Sequence, residues 1–104
     1  MSVLKNVLIE EKDRLEKNIH AYEEILSKLP KGSIVIRNIH NHYFVYRNIR
    51  LNHQVKSIYL GKKGSVKVDE QILLRKEYLR IKRNLQLANE EFKKLSRALK
   101  VYER

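Results

Sequence analysis

Cysteine is missing from all 104 residues, so neither a disulfide framework nor a thiolate metal site is available. The composition suits a reducing compartment. No run of about 18 apolar residues occurs, which excludes a membrane-spanning helix. The N-terminus, MSVLKNVLIEEKDRLEK, turns acidic after a short apolar patch and has no small-residue cleavage site. It is therefore not read as a signal peptide, and a cytoplasmic protein is expected. Proline occurs once, at Pro30, and all three glycines fall within residues 31–67. That stretch, KGSIVIRNIHNHYFVYRNIRLNHQVKSIYLGKKGSVK, also contains no Asp or Glu.

What it does contain is positive charge and rings. Lys31, Arg37, Arg47, Arg50, Lys56, Lys62, Lys63 and Lys67 lie there, with three of the four histidines and four of the eight aromatic residues. The net charge of +11 is accordingly uneven. Residues 1–30 carry −1, residues 31–67 carry +8 and residues 68–104 carry +4. A field concentrated in this way attracts a polyanion: nucleic acid first, an anionic membrane surface or an acidic protein second.

The length allows one domain with a modest core, spanning residues 1–104. Residues 3–29 have helical periodicity, with Leu8, Leu15, Tyr22 and Leu29 seven apart and Ile19 and Leu26 between them. Ser2 can cap this helix, and Leu29-Pro30 ends it, because a residue before proline is pushed out of the α region. Lys12 interrupts the apolar stripe, so looser packing is expected at that turn. The period then changes to two. Ser33–Ile39, Tyr43–Arg50 and Val55–Leu60 read as strands joined by turns at His40-Asn41-His42 and Leu51–Gln54. Two short connections in succession predict an antiparallel meander over 33–60. Phe44, Tyr46, Ile58 and Leu60 are expected against the helices, leaving Tyr43, Val45 and Arg47 outward.

Gly61-Lys62-Lys63-Gly64 reads as a flexible basic link, and Asp69 as the cap of a second helix over 69–102. Its seam is Leu74, Tyr78, Ile81, Leu85, Ala88, Phe92, Leu95, Leu99 and Tyr102, a heptad spacing that predicts a coiled-coil-like antiparallel helical hairpin. The lengths differ. About 27 residues span roughly 40 Å and about 34 span roughly 50 Å at 1.5 Å per residue. Leu99 and Tyr102 are therefore expected to overhang. Together with Ile9, Ile25 and Leu87 they call for another surface, which a homodimer through the helices would supply; a monomer with a frayed C-terminus accounts for them equally well.

The basic meander is the candidate site. Lys and Arg neutralise phosphates, and tyrosine rings offer flat faces for bases. Tyr43, Arg47, Arg50, Lys56, Lys62 and Lys63 form its centre. Lys31, Arg37, Lys67 and the helix cations Arg75, Lys76 and Arg80 extend it, although a solvated helix face explains the last three equally well. His40, His42 and His53 do not make a metal site: the two turns cap opposite ends of an eight-residue strand, about 26 Å apart at roughly 3.3 Å per residue. His40-Asn41-His42 spells a nuclease motif, and His-Asn-His-Tyr faintly resembles strand-transfer enzymes with a nucleophilic tyrosine. Each chemistry needs a metal or acid–base partner that an acid-free segment lacks. No enzyme activity and no cofactor are expected.

Leu29-Pro30-Lys31-Gly32-Ser33, then Tyr43-Phe44-Val45-Tyr46-Arg47, then Val55-Lys56-Ser57-Ile58-Tyr59-Leu60-Gly61-Lys62 resembles a group of small uncharacterised proteins common in Firmicutes genomes and their mobile elements. These share an LPKGS start, an aromatic Tyr/Arg strand and a VKSxYLGK strand between two helices. The second part is also similar to β-hairpins near the N-termini of some transposases and of integrase arm-binding domains. The resemblance covers about residues 29–63. It implies a bacterial or phage mobile-element setting, is compatible with DNA binding, and assigns no activity. Where those relatives often carry glycine in the turns, this chain has Asn41 and Asn52-His53.

The expectation is thus an α+β chain, helix–meander–helix, that binds nucleic acid, DNA in preference to RNA, chiefly through phosphates. The alternatives are a phage or host protein-interaction module using the same basic sheet, and a structural coiled-coil dimer.

Overall fold

In the computed structural model, which describes residues 2–103, the element order is α1 (Val3–Lys28), β1 (Ser33–Ile39), β2 (His42–Leu51), β3 (Gln54–Lys62) and α2 (Val66–Tyr102). The fold is α+β, with an antiparallel sheet in the order β1-β2-β3 between two helices. No helix among the described residues is long and apolar enough to cross a membrane.

Each boundary has a local cause. Ser2 caps α1, its Oγ accepting from the Lys5 N–H at 3.3 Å. Within the same helix Glu11 accepts hydrogen bonds from the Arg14 guanidinium. That contact holds the Glu11 carboxyl below its ordinary range. What this exposed pair contributes is present above the carboxylate range and is lost as the pH falls through it. Both hairpin turns contain two residues, His40-Asn41 and Asn52-His53, and all four have positive φ between 48° and 67°. That is the signature of the mirror-image turns whose twist suits a hairpin. Asparagine is among the few residues that tolerate this region, so Asn41 and Asn52 stand in for glycine.

The start of α2 differs from expectation. Ser65, not Asp69, is the cap: its Oγ accepts from the Val68 N–H at 3.3 Å and its carbonyl from the Asp69 N–H at 3.0 Å. Asp69 lies in the first turn, where a carboxylate suits the helix dipole. A Ser65→Ala variant is therefore expected to lose about 1 kcal/mol in thermal or urea unfolding. Asp69→Ala should lose at most about half of that, and the reverse order would restore Asp69 as the cap.

The chain divides into two compact units, one combining α1 with α2 from residue 80 onward, the other spanning Leu29–Leu79. In the helical unit Leu15, Ile19 and Ala88 form a buried cluster, packed by Tyr22, Leu85, Phe92 and Leu95. The expected seam is thus the buried stripe, and the helices run antiparallel. Lys12 does not loosen its turn: its ammonium sits 5.3 Å from the centre of the Phe92 ring, so its stem packs while its charge meets the ring face. The expected overhang is also absent at Leu99, which is 4 % exposed. The helix lengths agree because the first turns of α2 belong to the sheet unit, leaving residues 80–102 for the 26 residues of α1. Ile9, Ile25, Leu87 and Tyr102 stay exposed.

In the sheet unit the core is small, centred on Val45 and Val68, both fully buried. Val45 pairs across the ladder with Gly61. A Cβ on Gly61 would lie 2.9 Å from Val68 Cγ2, so the missing side chain is what lets α2 approach the sheet. Gly61 and Lys62 are consequently strand residues rather than a flexible link, and only Lys63-Gly64 form the turn into α2.

Candidate nucleic-acid interface

Antiparallel pairing puts directly opposed residues on the same face of a sheet. On β2, the Tyr43–Val45–Arg47–Ile49 face is the one that meets α2. Val45 packs at Val68, and the Arg47 guanidinium donates to the side-chain carbonyl of Gln71. Ile34 and Ile36 of β1 and Ile58 of β3 share this side by register. The expectation that Tyr43, Val45 and Arg47 look outward, with Phe44 and Tyr46 against the helices, is therefore reversed. The reason is packing. The covered face is aliphatic and bears a glycine, so a helix can come close; the other face carries bulky rings.

A β-bulge in β3 completes that other face. The register shifts between Val45 and Tyr46, so that Tyr46 pairs with Tyr59 while Val45 pairs with Gly61, leaving Leu60 as the extra residue. Without the bulge Tyr59 and Gly61, two apart, would share one face. With it, Tyr59 and Lys62 join the open side.

The open face is ordered in rows. Arg37, Phe44 and Lys62 are opposed across the three strands, as are Val35, Tyr46 and Tyr59. Ser33, Asn48 and Ser57 follow, and then Arg50 opposite Val55. The rings touch. Tyr46 and Tyr59 have centroids 5.4 Å apart, and Phe44 and Tyr59 6.2 Å apart, both tilted by a little over 50°. His42 adds a fourth ring 6.4 Å from Phe44. The Arg37 guanidinium lies 4.6 Å from the centre of the Tyr46 ring and donates to Ser57 Oγ at 3.4 Å, bridging from β1 to β3. Ser57 in turn donates to Asn48 Oδ1 at 2.6 Å. Arg37, Arg50 and Lys62 are exposed, Phe44 and Tyr46 half-buried, and Tyr59 is 55 % exposed.

Of the residues singled out from the sequence, Arg37, Arg50 and Lys62 are therefore brought together on the open face. Tyr43 and Lys63 meet elsewhere, on the side facing α2, with the Lys63 ammonium 5.4 Å from the Tyr43 ring centre. Arg47 is half-buried on Gln71 and holds sheet to helix. Lys56 is exposed on β3 opposite Ile49, Lys31 precedes β1, and Lys67 lies in the first turn of α2. Arg75 stands 5.2 Å from the Tyr78 ring centre, and Lys76 is exposed on the same helix. Arg80 belongs to the helical unit. Phe44, Tyr46 and Tyr59 were not singled out as contacts. The glycine inside β3 was the available signal, because a strand glycine marks a bulge or a close approach and so identifies the covered face.

His40 and His53 occupy turns at opposite ends of β2. No cluster of three or more His, Asp or Glu that could hold a metal exists among the described residues. No family model, curated protein or solved structure matches the chain.

Proposed function

We propose that the protein binds nucleic acid through the open face of its sheet, in the bacterial or phage mobile-element setting that the sequence resemblance implies. One observation carries this reading: the face not covered by α2 gathers Arg37, Arg50 and Lys62 around a contiguous group of rings, with no carboxylate in any of its three strands. Cations so placed attract phosphates and release their counterions. The surroundings reinforce the field. The sheet unit carries ten Lys or Arg against three acids, while α1 is balanced to within one charge.

The test is a binding series with a labelled 20-nucleotide strand and a 20-base-pair duplex at several salt concentrations, on the protein and on its Arg37→Ala/Arg50→Ala/Lys62→Ala variant. Binding by the parent should fall steeply with salt. The variant should bind at least about tenfold more weakly and show a shallower salt slope, by about one for each lost phosphate contact. Its melting temperature should stay close to the parent value, because all three side chains are exposed. Unchanged binding in a folded triple variant would discard this face. A shallow salt dependence with tight binding to an acidic protein would favour the interaction-module alternative.

A further inference from the structure

The row order on the open face says more than that it is basic. We propose that its ligand is single-stranded DNA, with bases stacked on Tyr59 and on the Arg37–Tyr46 pair and phosphates held by the cations at either end. The inference rests on the nucleic-acid reading above and adds the strandedness of the ligand. Duplex binding through phosphates needs cations, and the base faces of a duplex are hidden in its stack. An exposed ring between rows of cations is suited instead to bases that are already unstacked.

The geometry fits this. The Tyr46–Tyr59 row lies between the Arg37–Phe44–Lys62 row on one side and Arg50 on the other. Phe44 and Arg50 are six residues apart on β2, about 20 Å at roughly 3.3 Å per residue, room for a short run of nucleotides. Tyr59 touches both Tyr46 and Phe44 of the neighbouring strand and is still 55 % exposed, so its ring is supported without being covered. The Arg37 guanidinium lies 4.6 Å from the centre of the Tyr46 ring, and the residue is exposed. A guanidinium plane stacks on a base much as a ring does. The Ser57 hydrogen bond steadies that plane.

The choice of DNA follows from the polar centre of the face. A protein distinguishes RNA through contacts to the 2′-hydroxyl. Here the Ser57 hydroxyl, the nearest small polar group beside the rings, already accepts from Arg37 and donates to Asn48 Oδ1.

Fluorescence anisotropy with labelled dT15, U15 and a 15-base-pair duplex at matched low salt tests the proposal. The chain has six tyrosines and no tryptophan, so tyrosine emission gives a second readout that stacking should quench. The expected order is dT15 tightest. Tyr59→Ala should weaken dT15 about tenfold while changing duplex binding by less than about twofold. Tyr59→Phe should bind like the parent. Tyr59→Leu, which keeps apolar bulk against Tyr46 and Phe44, should lose as much as the alanine variant. Duplex binding equal to or tighter than dT15, or a folded Tyr59→Leu protein with undiminished dT15 binding, would overturn the stacking inference and leave the phosphate reading standing. Tighter binding of U15 than of dT15 would overturn the choice of DNA. Failure to bind any of the three would remove the nucleic-acid reading itself.

Discussion

Replacing Gly32 by alanine is expected to cost about 3 kcal/mol or more, a drop of more than roughly 12 °C in melting temperature. Two effects combine at this position. Its φ of +101° lies where a side chain is strained in any surroundings. A Cβ there would also stand 2.4 Å from the backbone carbonyl oxygen of Asn48 and 3.1 Å from Ile49 Cγ1. Neither backbone can give way easily, because Asn48 is paired on both sides, with Ser33 and with Ser57. Gly64 is the control. Its φ of +96° is equally unfavourable, but a Cβ there would meet nothing within 4 Å. Gly64→Ala should therefore show the backbone strain alone, about 1 kcal/mol. Circular-dichroism melts of the two variants measure the difference. Equal shifts would mean that the first strand is not seated on β2 as described.

Truncating Leu99 to alanine is the second large effect, about 2–3 kcal/mol. Burial of a leucine this complete normally costs 2–5 kcal/mol to undo, and the end of a hairpin relaxes more easily than a domain centre. The contrast is with Tyr102, one turn further on and exposed, where alanine should change stability by less than about 0.5 kcal/mol. Urea unfolding followed by circular dichroism separates them. A Leu99→Ala protein as stable as the parent would restore the overhang that helix lengths alone suggest, and with it the need for a second surface.

Counting residues treats α2 as one partner for α1, whereas its residues up to Leu79 group with the sheet and the rest with α1. The seam was legible as far as Leu99. From Leu74 to Leu99 every residue of the 4-3 spacing is buried or half-buried, since a heptad stripe has one way to hide. Strand positions were equally plain, each boundary agreeing within two residues, because the turn residues tolerate a left-handed backbone that strand residues avoid. The helix cap was misplaced because serine and aspartate are both good caps, and only the hydrogen bonds to Ser65 decide between them. On the sheet, charge alone does not tell which face a cation occupies. Arg47 and Arg50 look alike in sequence, yet one is anchored on Gln71 and the other is free of the helix face.

The amino-acid order by itself determined the number and kind of elements, their antiparallel path and the concentration of positive charge in the middle third. These follow from period, turn chemistry and composition, which are local. Which side of the sheet is covered was left to the tertiary structure. Both faces are half apolar and each holds an arginine on β2, so alternation cannot rank them. The decision comes from contacts distant in the chain: Val68 is buried against Gly61, the partner of Val45, and the bulge at Leu60 sends Tyr59 to the opposite side.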